Sequence, residues 1–140
     1  MTAMAALYDY FDRHVRDMAH DDIFVLSAVR TWVFAVRNAR CAQAMLRSGF
    51  TARRVGDALL PFLCSMTLLD HYGYGTMRFA DVRYPNVSDD EARVLALFGA
   101  ARVSDPGLIR IATSLVSDDM ALQLAGAAGK VAAAMLPAGS

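Results

Sequence analysis

The sequence predicts an all-α protein: a single compact bundle of five or six helices around a long, largely buried second helix, with one short extended loop or small hairpin near residues 76–87. Three observations carry that prediction. Apolar residues recur at helical spacing through most of the chain. Helix-starting Ser/Asp clusters stand at Ser88, Ser104 and Ser117, and strand-like patterning is confined to one stretch. No Pro/Ser/Gly linker divides the chain and no repeat relates its halves, so residues 1–140 read as one helical domain.

The first expected helix covers residues 3–18. Asp9 with Arg13 and Asp12 with Arg16 lie four apart, which sets opposite charges on one face, while Leu7, Tyr10, Phe11, His14, Val15 and Met18 form the apolar stripe. Asp21 or Asp22 then caps the long second helix, which runs through Leu46 and is closed by Gly49. A carboxylate there accepts orphan backbone amides and suits the positive end of the helix dipole. Thr51 is the next expected N-cap, for a helical segment over 52–72. Pro61 within it lacks an amide donor and crowds the preceding turn, so a kink or two abutting helices is expected there. Gly73, Tyr74 and Gly75 end the run, and Met77, Phe79, Val82 and Tyr84, interleaved with charges, make the following stretch extended.

Ser88, Asp89, Asp90 and Glu91 spell a capping box, in which the Ser and Glu side chains each satisfy the other's backbone amide. It starts a helix carrying Val94, Leu95, Leu97 and Phe98 that stops near Val103. Ser104, Asp105 and Pro106 start the next, since proline is tolerated in a first turn whose amides have no helical partner. Ser117, Asp118 and Asp119 start the last, which Pro137 terminates.

Composition bounds the function. With 14 Lys plus Arg against 14 Asp plus Glu the formal charge is zero, so a nucleic-acid partner or an anionic membrane gripped over the whole surface is not expected, although a local basic patch is compatible with the balance. At 56% hydrophobic and 20% charged residues the chain is on the folded side of the boundary with disorder. The apolar excess in so small a domain must fill a core or cover an interface, which points to a homo-oligomer, a dimer. The longest uncharged apolar run, residues 58–69, is too short to cross about 30 Å of hydrocarbon, and the N-terminus carries no signal-peptide pattern, so a cytoplasmic protein is expected. Cys41 and Cys64 show no CxxC pairing and fall in apolar helical patterns, which reads as two buried thiols. His14, Asp17 and His20 spread too widely around a helix to hold a metal, so neither a metal nor a cofactor is expected.

The most informative feature is an uneven run of arginine. Residues 23–56 contain Arg30, Arg37, Arg40, Arg47, Arg53 and Arg54 and no acid. On one helix the first four share an arc of about 100°. The plainest reading is that they pair with acids elsewhere, such as Asp9, Asp12, Asp57, Asp70 or Glu91. A second has two or three converge on a small anionic ligand, which the planar guanidinium fork suits. A third is a nucleic-acid surface, for which residues 44–60 imitate a helix-turn-helix. The imitation fails at Pro61, Phe62, Leu63 and Met66, which look like core where polar recognition residues are needed.

No motif in the chain names a reaction, and no catalytic residue is assigned. The first functional expectation is a non-enzymatic cytoplasmic helical module acting through protein contacts, regulatory or scaffolding, as a homodimer. The alternative is a sensor or carrier of an anionic metabolite, with a pocket at the Pro61 kink. Trp32, Phe62, Met66 and Tyr72 would wall it, Arg30, Arg37 and Arg40 would orient the ligand, and His71 adds a titratable group. A DNA-binding regulator and an enzyme using His71 rank below these. The plainer reading of His71 and its tyrosine neighbours is a helix C-terminal cap with aromatic walls.

Overall fold

Six helices run through residues 18–73, 85–103 and 105–135, which a computed structural model describes. They are α1 (His20–Arg37), α2 (Ala42–Ala52), α3 (Leu59–Tyr72), α4 (Asp89–Arg102), α5 (Leu108–Leu115) and α6 (Asp118–Met135), with a 3-10 turn at Gly56–Ala58 before α3. The protein is all-α. The expected first helix lies outside the described residues except for Met18, which is buried, and so does most of the expected extended stretch, residues 74–84.

The long second helix is interrupted. α1 ends at Arg37, where Asn38 turns its side-chain amide onto the Phe34 carbonyl at 2.8 Å and Ala39 adopts a left-handed φ of 52°. Ala39 N donates to Val36 O at 3.4 Å and Arg40 N to Ala35 O at 2.8 Å, the paired bonds of a Schellman motif. α2 ends the same way. Arg54 takes the left-handed position with φ 59°, its amide donating to Thr51 O at 3.0 Å and that of Val55 to Phe50 O at 2.9 Å. Gly49 and Thr51, expected to end one helix and begin another, therefore lie inside α2. The cap of α1 is Ala19, with Asp21 and Asp22 in the first turn.

Pro61 occupies the first turn of α3, where its missing amide would have had no intrahelical acceptor. The helix therefore starts just before the proline instead of bending at it. At the other end a Cβ on Gly73 would run into the Leu69 carbonyl oxygen. That close approach lets Gly73 form an antiparallel bridge with Val116 and lets Ser117 N donate to Tyr72 O at 3.3 Å. The end of α3 is thus tied to the start of α6, and these two helices pack on one another.

α4 is enclosed along most of its length. Ala92, Val94, Leu95, Ala96, Leu97, Phe98 and Ala100 are all buried, because alanines on one side let neighbouring helices approach while larger residues fill the other. α6 packs on α3, α4 and α5, and α1 packs on α2 and α4. α1 buries Val25, Leu26, Ala28, Val29, Arg30, Val33 and Ala35, while its Phe34 and Val36 are exposed. Four phenylalanines from four helices run through the core in a chain: Phe24 to Phe50 at 4.9 Å between centroids, Phe50 to Phe62 at 5.6 Å, and Phe62 to Phe98 at 5.8 Å. Cys41 and Cys64 are free and exposed, contrary to the buried thiols expected, since Cys41 caps α2 and Cys64 lies on the outer side of α3.

Candidate functional site

Ser88 Oγ accepts from Glu91 N at 3.2 Å while Glu91 Oε1 accepts from Ser88 N at 2.9 Å, so the capping box is formed as its sequence dictates. The same carboxylate meets Arg30. Nε of Arg30 donates to Glu91 Oε2 at 2.7 Å and Nη2 to Oε1 at 2.9 Å, and Nη2 also donates to the Asn86 carbonyl at 2.9 Å. The Arg30 and Glu91 side chains are 3% and 0% exposed, which makes this a buried, two-pronged ion pair. It clamps the start of α4 and the turn before it onto α1. Arg30, expected to orient a ligand, is thus engaged by the protein itself.

Two further arginines are paired. Arg53 donates to Asp21 Oδ1 at 2.8 Å and lies 4.9 Å from the centroid of Phe24, in a cation–π contact that joins the end of α2 to the start of α1. Arg102 binds Asp22 between α4 and α1. The sequence points to Glu91 among the acids available to Arg30. It reads Asp21 and Asp22 as helix caps, so these partnerships are missed; an acid in a first turn looks the same whether it caps or pairs.

Arg37 and Arg40 are exposed, as are Arg47 and Arg54, and none of the four has an ion pair among the described residues. Phe62 and Met66 are sealed in the core, and Trp32 is half-buried against it. His71 and Tyr72 are exposed at the end of α3, with ring centroids 6.4 Å apart. The eight residues expected around one pocket are therefore dispersed among the core, a buried ion pair and the surface. Among the described residues no three His, Cys, Asp or Glu side chains gather as a metal ion requires, and no helix is long and apolar enough to cross a membrane.

Exposed large apolar side chains are spread over several elements, Leu60, Val103 and Ile109 among them, and two stretches carry other exposed groups. Arg40, Arg47 and Arg54 recur every seven residues along α2 and its flanking turns. On α6, Leu122 is 68% exposed, and a Cβ built on Gly126 or Gly129 would meet nothing within 4 Å. Compared with known protein families, curated proteins and solved structures, the chain matches none.

Proposed function

We propose that this chain is a non-enzymatic helical module that acts through protein contacts and pairs with a second copy of itself across the outer face of α6. The observation that carries the reading is that face. Glycine inside a helix is destabilising by about 0.5–1 kcal/mol relative to alanine, and among the described residues nothing lies close enough to Gly126 or Gly129 to require glycine there. Small residues beside an exposed leucine suit the close approach of another helix. The charges suit an antiparallel copy: Asp119 and Lys130 lie toward opposite ends of α6. A twofold crossing at Gly126 sets Leu122 against the aliphatic stem of Lys130 in the other copy, with Asp119 within one turn of that ammonium. Exposed free thiols at Cys41 and Cys64 fit work in the reducing cytoplasm.

Light scattering across a dilution series tests the pairing. A dimer that dissociates on dilution is expected. Gly126→Ala should raise the stability of the isolated protomer by about 0.5–1 kcal/mol and shift the dissociation to higher concentration, while Leu122→Glu should give a folded monomer. A wild-type protein that is monomeric at every concentration overturns the reading.

A further inference from the structure

We propose that the last turn of α1, with the bend that joins it to α2, is a docking tip for an anionic lipid bilayer. The tip is separate from the α6 face and goes beyond the function proposed above. The Arg30–Glu91 clamp holds α1 along its length. Phe34 and Arg37 lie about one and two turns past it, roughly 6 and 10 Å along the axis. From Val36 to Cys41 every residue is exposed. Large apolar side chains share that exposure: Phe34 is 45% and Val36 49% exposed, and Met45 is exposed in the first turn of α2. Backbone bonds hold the bend against the helix end. Asn38 Nδ2 donates to the Phe34 carbonyl, Ala39 N to Val36 O and Arg40 N to Ala35 O. Arg40 is thereby folded back onto the turn that carries Phe34, Val36 and Arg37.

Charge sets the sign of the partner. Residues 23–56 contain no acid, and Arg37 and Arg40 are exposed without an ion pair among the described residues. Cations beside exposed apolar groups match the two layers of an anionic interface, since the guanidinium groups meet headgroup phosphates while the apolar groups enter the acyl boundary. The directions of the side chains favour a bilayer over a protein. Phe34 and Val36 leave the helix on either side of buried Ala35, with Arg37 between them on the outer side. Apolar groups so far apart around an axis do not share one flat protein face, whereas fluid hydrocarbon closes around a tip from every side. Nucleic acid would engage the arginines and leave Phe34 and Val36 in water. Trp32, half-buried, is four residues before Val36 and so on its face. An indole one turn behind an inserting tip sits at headgroup level, where tryptophan is enriched.

Flotation with vesicles of mixed phosphatidylserine and phosphatidylcholine tests the tip. Binding should weaken as the phosphatidylserine fraction falls and as salt rises. Arg37→Gln and Arg40→Gln should each lower vesicle affinity about five-fold and Phe34→Ser about ten-fold, whereas Arg110→Gln, exposed on α5, should leave it unchanged. Insertion is read separately as a rise in the surface pressure of a mixed monolayer, which the double variant Phe34→Ser, Val36→Ser should abolish. Four results overturn the proposal: no binding to the mixed vesicles, equal binding to pure phosphatidylcholine, insertion that the double variant retains, or tighter binding to a DNA duplex or a polyglutamate peptide than to the vesicles. The dependence on lipid charge and the pressure rise are read on the wild type, so the test stands even if a variant fails to fold.

Discussion

Arg30 shows how one side chain is assigned a role by its surroundings. In the sequence it belongs to an arginine run in which every member looks alike; in the fold it is the member buried against Glu91, with both carboxylate oxygens engaged. A pair of this kind offsets its own desolvation only while it is complete, and removal of one partner leaves a buried charge. Arg30→Met is therefore expected to destabilise the protein by about 3–5 kcal/mol in urea unfolding, and adding Glu91→Gln should restore part of the loss. The Ser88 and Glu91 reciprocity was legible in the sequence because its partners are three residues apart. The depth of the ion pair was not, because burial is decided by residues 61 positions away. For the same reason the differing burial of the eight residues grouped around one expected pocket was not legible: periodicity orders residues about a helix but does not say which helices face one another.

At the scale of elements, the all-helical class and the helix begun by the capping box follow directly from local pattern. The ends of α1 and α2 do not. Both close in Schellman motifs whose left-handed residue is Ala39 or Arg54 where glycine is usual, so the strongest sequence signal for a helix stop is missing at each. Asn38 was the one available hint. Glycine at 39 would remove a left-handed penalty of about 1–2 kcal/mol and return part of it as chain entropy. Ala39→Gly is accordingly expected to stabilise the protein by about 1 kcal/mol, read as a higher urea midpoint at unchanged slope. Loss of stability on that substitution would contradict the turn described here. The enclosure of α4 has a related origin. The helix around Trp32 is richer in large apolar residues, yet α4 is the more deeply enclosed, because its alanines let neighbours close in.

For the molecule as a whole, cohesion comes from the line of Phe24, Phe50, Phe62 and Phe98, which joins α1, α2, α3 and α4 through ring contacts. Phe62 is an inner link, touching Phe50 on one side and Phe98 on the other, and it is 1% exposed. Phe62→Ala is expected to cost about 3–5 kcal/mol in chemical denaturation and to lower the melting temperature. A loss below about 1 kcal/mol would mean that the rings are not packed as described. Neutral total charge conceals an uneven pairing: acids near the start of α1 are paired with Arg53 and Arg102, while Arg37, Arg40, Arg47 and Arg54 are exposed without an ion pair among the described residues. The chain contains one tryptophan, and it lies half-buried on α1, the helix that the Arg30 clamp seats against α4. Indole emission is therefore a private optical gauge of whether that helix is seated, separate from the amide circular dichroism that every other helix contributes to.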